Sequence, residues 1–303
     1  MCVRGIATSK YINLYTDFAF KKIFGTEANK DILISFLNTF LEFEGDKEIE
    51  DIEYINPEQL GDTNRERRAI YDVYCTTKEG ERFIVEMQRA KQDYFKDRAL
   101  YYSSFAIREQ GQKGGDKPWD YHLMPVYVIG ILDFRIDDDP ARADKVITRV
   151  RLKDDDNRTF SDRLQLVFLE MPKFRKREDE LESFSDKWLF VIKNLYQLDD
   201  KPKGLTEGIF KKLFKEASVA NLQSPEKEEY EESLKIYRDW YNVIDTAKNE
   251  GLAEGRAEGR AEGLAEGAKQ QAIETARKMK AKGLDFETIA DFTGLSVEEI
   301  KNL

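Results

Sequence analysis

The stretch Tyr71-Asp72-Val73-Tyr74-Cys75-Thr76-Thr77-Lys78-Glu79-Gly80-Glu81-Arg82-Phe83-Ile84-Val85-Glu86-Met87-Gln88 decides the fold. Its second half alternates, placing Arg82, Ile84, Glu86 and Gln88 on one face of a strand and Phe83, Val85 and Met87 on the other. The first half, Ile70 to Thr76, reads as the partner strand, so the length of the connection sets which side chains meet. A two-residue turn at Glu79-Gly80 would pair Lys78 with Glu81 and Asp72 with Met87, sending Asp72 to the wrong face. A three-residue loop, Lys78-Glu79-Gly80 with Gly80 left-handed, pairs Thr77 with Glu81 and Asp72 with Glu86 instead. Glycine at the third loop position is what that hairpin type demands. Two acidic side chains then lie about 5 Å apart at Cβ, beside Gln88.

Like charges held that close destabilise each other unless a proton or a cation intervenes. Oxygen ligands at this spacing suit Mg²⁺, which keeps several waters and takes one or two carboxylates from a protein. Such an ion polarises a phosphoryl oxygen and acidifies water without any histidine. The competing reading is an ordinary hairpin with a solvated polar face. Asp72, set between Tyr71 and Val73 in an otherwise apolar strand, favours the first.

Outward from the hairpin, the chain reads as a mixed α/β sheet flanked by helices. Thr16 or Asp17 can cap a helix containing Phe18, Phe20, Ile23 and Phe24, and Asn29 can cap a second running from Asp31 to Phe43. Further strands are expected at Ile52 to Ile55, Val126 to Phe134, Val146 to Lys153 and Leu164 to Glu170, with a helix from Tyr94 to Glu109. Helical, charge-rich sequence follows at Leu181 to Leu195, Thr206 to Ala220 and Pro225 to Glu250. The organisation expected is a main α/β domain over residues 1–200, a helical extension over 201–250, a repeat over 251–270 and a small cap over 271–303.

The repeat is Gly251-Leu-Ala-Glu, Gly255-Arg-Ala-Glu, Gly259-Arg-Ala-Glu and Gly263-Leu-Ala-Glu, running into Gly267. Each interior glycine costs a helix about 1 kcal/mol, so this segment is a marginal helix unless a partner packs on it, or else a flexible linker. In the cap, Thr293-Gly294-Leu295 suits a turn between two helices, and Ser296 with Glu299 has capping-box spacing. Glu298 and Glu299 open the second helix, which favours a packing or oligomerisation cap over a DNA-reading module.

Composition removes other chemistries. The 303 residues carry 49 Lys plus Arg against 59 Asp plus Glu, a net charge of −10, so nucleic-acid contact would need local basic patches. Candidates are Lys21 with Lys22, Arg65 with Arg67 and Arg68, and Lys173 with Arg175, Lys176 and Arg177, each of which reads equally as a solvated face. Two cysteines, Cys2 and Cys75, and the single His122 exclude a disulfide framework, a Cys/His zinc site and a histidine-based triad. His122 is expected to be structural or exposed. No stretch nears the roughly 20 apolar residues of a membrane span, and Met1 to Phe20 lacks the pattern of a secretory signal. The expected compartment is the cytoplasm.

Asp72 with Glu86-Met87-Gln88 resembles the D…(D/E)-x-K signature of the PD-(D/E)XK nuclease superfamily. An ordered series of further segments is similar to the Rpn family of recombination-promoting nucleases and putative transposases: Thr16-Asp17-Phe18-Ala19-Phe20-Lys21-Lys22-Ile23-Phe24-Gly25, Asn29-Lys30-Asp31, Arg98-Ala99-Leu100-Tyr101-Tyr102, Pro125-Val126-Tyr127-Val128-Ile129 and the Gly-x-Ala-Glu tail. The resemblance covers most of residues 11–200. It implies a restriction-endonuclease-like fold, dependence on Mg²⁺ (or Mn²⁺) and hydrolysis of DNA phosphodiesters. It implies that Asp72 and Glu86 hold the metal, that the Met87 carbonyl completes the protein ligands and that Gln88 stands at the superfamily's lysine position. A neutral amide can orient water but cannot offset developing negative charge as an ammonium does. Asp17 offers an additional acid, with helix capping as its other reading. Arg98 and Tyr102, four apart on one helical face, are phosphate-contact candidates alongside Lys21 and Lys22, and helix packing explains the first two equally well.

These readings lead first to a Mg²⁺-dependent DNA endonuclease acting in recombination or transposition-like events, oligomeric through its tail and away from membranes. The alternative is a non-catalytic DNA-associated or protein-interaction module that retains the nuclease fold, favoured by the acidic balance and by Gln88. A structural oligomer organised by the glycine repeat would explain the C-terminus alone.

Overall fold

The connection between the two central strands settles the register. Thr77 N–H donates to the Glu81 carbonyl at 3.1 Å and Gly80 N–H to the Thr77 carbonyl at 3.0 Å, with Gly80 at φ +93°. These distances come from a computed structural model describing residues 9–56, 58–59, 69–91, 94–111 and 121–303. Cys2, Arg65, Arg67 and Arg68 lie outside the described residues. Strand β4 (Val73–Thr76) pairs antiparallel with β5 (Arg82–Gln88), Val73 opposite Val85 and Thr76 opposite Arg82, so the same register carries Asp72 opposite Glu86. The three-residue loop is the one that forms.

Strand β5 then runs parallel to β6 (Val126–Leu132), and β6 parallel to β8 (Thr159–Glu170). The antiparallel strands β1 (Glu53–Tyr54) and β7 (Ile147–Lys153) close the two edges, giving six strands in the order β1-β4-β5-β6-β8-β7. Strands β2 (Glu58–Gln59) and β3 (Ala69–Ile70) pair with each other in a separate ribbon. All seven residues of β6 are buried, as befits a central parallel strand covered on both faces.

Alternation sorts the strand residues between two cores. Phe83, Val85, Ile129, Ile131, Val167 and Leu169 face the larger one, built with helices α1 (Asp17–Phe24), α2 (Lys30–Leu41), α4 (Phe184–Asn194) and α5 (Gly208–Glu216). Phe24, Phe36, Trp188 and Phe210 pack ring against ring at its centre. Ile84, Val128, Leu132 and Phe168 face the smaller core under Phe95, Phe105 and Ala106 of α3 (Phe95–Arg108). Asp72 and Glu86 belong to this second face.

Two local expectations are corrected and one alternative is decided. The strand expected from Ile70 to Thr76 is broken at Tyr71-Asp72, because Asp72 uses its side chain where the ladder would use backbone. Asn29 gives α2 no side-chain cap and instead donates from Nδ2 to the Lys22 carbonyl at 2.8 Å, fastening α2 to the end of α1. Thr16, not Asp17, caps α1 by accepting from Ala19 N–H.

The chain divides into two compact units, residues 1–237 and 238–303. Helix α6 (Ser224–Ala281) is continuous for 58 residues, the glycine repeat included, and a Cβ placed on any of Gly251, Gly255, Gly259, Gly263 or Gly267 would meet no described atom within 4 Å. In the second unit Ala276, Ile289, Leu295 and Ile300 form a small core joining α6 to α7 (Phe286–Thr293) and α8 (Val297–Lys301). Gly294 turns at φ +71°, and Ser296 with Glu299 makes the expected capping box. Among the described residues no helix is long and apolar enough to cross a membrane.

Candidate active site

The site forms where β4 begins and β5 ends. Hydrogen bonding alternates along β5: Arg82 N–H donates to the Pro125 carbonyl beside β6, so Phe83, Val85 and Met87 turn theirs toward β4. Met87 would face Tyr71, but β4 starts only at Val73. Asp72 fills the gap, its Oδ2 accepting from Met87 N–H at 2.7 Å, at a position of β5 that has no paired residue on β4. Asp72 N–H in turn donates to Glu86 Oε1 at 3.3 Å, and Gln88 Nε2 donates to Glu86 Oε2 at 2.9 Å. Opposite Glu86 on β6 stands Gly130, where a Cβ would come within 3.1 Å of the Phe168 ring. Glycine keeps that floor open beside Glu86.

Burial governs the electrostatics. Glu86 is only 7% exposed. Burial first, then the charge of Asp72, pushes its carboxyl up to about 8, against the opposing influence of Arg98 and the Gln88 amide. Asp72 is also raised, first by burial, then by Asp17, with Met87 N–H, Lys21 and Arg89 opposing. Two carboxyls driven toward their protonated forms in a buried corner constitute an acceptor set without a cation to balance it. Their hard oxygens and the Met87 carbonyl suit Mg²⁺ or Mn²⁺, with water completing the shell. Among the described residues no three His, Cys, Asp or Glu side chains gather as a metal cluster.

The other residues singled out from the sequence fall into two groups. Asp17 and Lys21, both on α1, act electrostatically on Asp72 and are ion-paired to each other at 3.1 Å. Arg98 acts on Glu86 from α3, its guanidinium 4.8 Å from the Tyr102 ring centroid, while the Tyr102 carbonyl accepts from Tyr71 Oη at 2.8 Å. Lys22 turns elsewhere and pairs with Glu226 at the start of α6. Of the basic run at 173–177, Lys173 is buried against Glu170, Lys176 pairs with Asp186, and Arg177 pairs with Asp179 and Glu180. His122 is exposed.

Two neighbours escaped the sequence reading. Asp133 follows β6, donates its N–H to the Gln88 carbonyl at 2.9 Å, and is pushed up to about 6 by burial, with Lys193 opposing. Arg89 follows Gln88 directly, and its only signal in the sequence was that adjacency.

A family model described as PD-(D/E)XK nuclease family transposase matches residues 14–247. A second, described as the C-terminal HTH domain of the Rpn/YhgA-like nuclease family, matches residues 269–303. That second match favours the DNA-binding reading of the cap. The acidic first turn of α8 obscured it, although Glu299 is spent on the capping box with Ser296. No curated protein and no solved structure matches the chain.

Proposed function

Because the chain belongs to the PD-(D/E)XK nuclease family transposases, we propose that it is a divalent-cation-dependent DNA endonuclease, with Asp72, Glu86 and the Met87 carbonyl as its cation ligands. The observation that carries this reading is the buried register pair, Asp72 opposite Glu86, in which both carboxyls are raised. When bound, Mg²⁺ or Mn²⁺ would supply the positive charge and Lewis acidity that phosphodiester hydrolysis needs. The chain's own part is to fix geometry. Met87 N–H orients the Asp72 carboxylate, Gln88 Nε2 orients Glu86, and Lys21 holds Asp17 beside them. Gln88 therefore acts on Glu86 as well as being placed to hold a water.

DNA is the substrate, recombination or transposition-like cutting the context, and the C-terminal HTH segment a second point of contact with the duplex. Helix α6, with its open glycine stripe, supports pairing of two chains. Supercoiled plasmid incubated with and without Mg²⁺ tests the reaction: the wild-type protein should nick it only with the ion, and Asp72→Ala should not nick it at all. Nicking by Asp72→Ala would remove the assignment. The neutral Gln88 and the net charge of −10 favour a non-catalytic module, and inactive wild-type protein that still binds duplex would establish that reading instead.

A further inference from the structure

Hydrolysis of a phosphodiester concentrates negative charge on the phosphoryl oxygens, and at the position where an ammonium would meet it this chain has the neutral Gln88. Three cations lie around the carboxylates, and they differ in what holds them. Lys21 is occupied by Asp17 at 3.1 Å. Arg98 approaches Glu86 from the α3 side and stacks on Tyr102. Arg89 leaves the end of β5 half-buried, with its guanidinium 5.9 Å from the ring centroid of Tyr237 on α6. It makes no ion pair or hydrogen bond with any described residue, and its charge is felt at Asp72. An aromatic face orients a guanidinium without consuming its N–H donors, so a guanidinium held this way can offer a fork to two oxygens of one anion.

The ring is itself fixed. The first turns of α6 are tied to the segment that leads into α1, where Tyr230 Oη accepts from Asn13 N–H at 3.0 Å and Ser233 Oγ from Phe18 N–H at 3.2 Å. Lys22 and Glu226 add an ion pair between the same elements. Tyr237 packs at the margin of the larger core. The start of α6 is thereby a strut holding one aromatic ring against the arginine that follows Gln88 at the end of β5.

We propose that Arg89 is the phosphate-binding cation of this site, giving the nucleic-acid backbone the charge that Gln88 lacks, and that Tyr237 is the positioning residue that aims it. The inference rests on the nuclease reading. In the hydrolysis a water oxygen forms the new bond to phosphorus while the bond to the leaving sugar oxygen breaks. The water's proton goes to solvent, and the leaving oxygen takes one from solvent. Arg89 keeps all its protons and acts by charge and by two parallel N–H donors.

The test uses the full chain as wild type, Arg89→Gln, Arg89→Lys, Tyr237→Phe, Tyr237→Leu and the Arg89→Gln/Tyr237→Leu double variant, each checked for unchanged melting temperature. Cleavage is followed in Mg²⁺, and duplex binding by fluorescence anisotropy in Ca²⁺ over a salt series. Arg89→Gln should lose about 100-fold or more in kcat, the scale seen when one charge-stabilising donor is removed. Its log–log salt slope for binding should fall by about 0.9, one phosphate contact. Arg89→Lys, which keeps the charge and loses the fork, should fall between. Tyr237→Phe should behave as wild type, Tyr237→Leu should move kcat and salt slope in the direction of Arg89→Gln, and the double variant should be no worse than Arg89→Gln alone. If wild type cleaves and Arg89→Gln cleaves equally well, or if the two losses add in the double variant, the inference is overturned. A wild-type protein that cleaves nothing in any divalent cation defeats the nuclease reading itself, a different outcome from either.

Discussion

At the scale of the residue, the account turns on Glu86. Its carboxyl is raised from an ordinary value of 4.5 to about 8, so between those values the native state binds a proton that the unfolded chain releases. Stability from this group is therefore fully present below about pH 4.5 and is lost as pH rises through about 8. The charged groups bearing on the pair are Asp17, Lys21 and Arg89 at Asp72, and Arg98 at Glu86. Melting curves in EDTA should show wild type falling across that window and Glu86→Gln falling less. Mg²⁺ should raise the wild-type melting temperature more at the alkaline end than at the acid end. An unaltered profile in Glu86→Gln would mean that the raised carboxyl lies elsewhere.

Gln88 gives a second test at this scale. Its amide donates to Glu86 at 2.9 Å, and an ammonium there would donate the same bond with a full charge. Gln88→Lys should keep or raise cleavage and shift its pH optimum lower, whereas Gln88→Ala should lose activity. A folded but inactive Gln88→Lys would show that the site is built around the amide, and that the superfamily's lysine is no guide here.

At the scale of the element, the hairpin was legible because a single residue selects it: only a loop with left-handed Gly80 in third place brings Asp72 and Glu86 to one face. What the sequence could not show was the break before Val73, since a side chain taking a backbone partner's place leaves no mark on hydrophobic alternation. Arg89 was hidden for a related reason. Strict alternation sends it to the face opposite Glu86, where it meets Tyr237 at the margin of the larger core, and nothing in the strand pattern reveals its effect on Asp72. The repeat was ambiguous because alanine and glutamate favour a helix that the glycines oppose. In the structure the helix is unbroken, and no described residue packs on its glycines.

That stripe separates two outcomes. Gly255→Ala, Gly259→Ala and Gly263→Ala together should strengthen an isolated helix by about 1 kcal/mol each. If two chains pair along the stripe, the added methyl groups should instead dissociate them. We expect light scattering to show an oligomer for wild type and a monomer both for the triple variant and for truncation after Asn249, which leaves the first unit whole. Loss of linear plasmid product with nicking retained should accompany the change, because one carboxylate site per chain cuts one strand. An unchanged mass with unchanged linear product would reduce residues 251–267 to a spacer.

At the scale of the whole molecule, a net charge of −10 and a DNA-directed family sit together only if positive potential is local. The structure concentrates it. Lys22, Lys176 and Arg177 are paired with acids away from the site, while Lys21, Arg89 and Arg98 act electrostatically on the buried carboxylates. Everything then depends on whether those two carboxylates take up a cation. Mn²⁺ titrated into the full chain and followed by calorimetry or by electron paramagnetic resonance gives the most direct answer. The account predicts saturable uptake by wild type, competed by Mg²⁺ and abolished in both Asp72→Ala and Glu86→Ala while each variant stays folded. Undiminished uptake in either variant, or none in wild type, would contradict it.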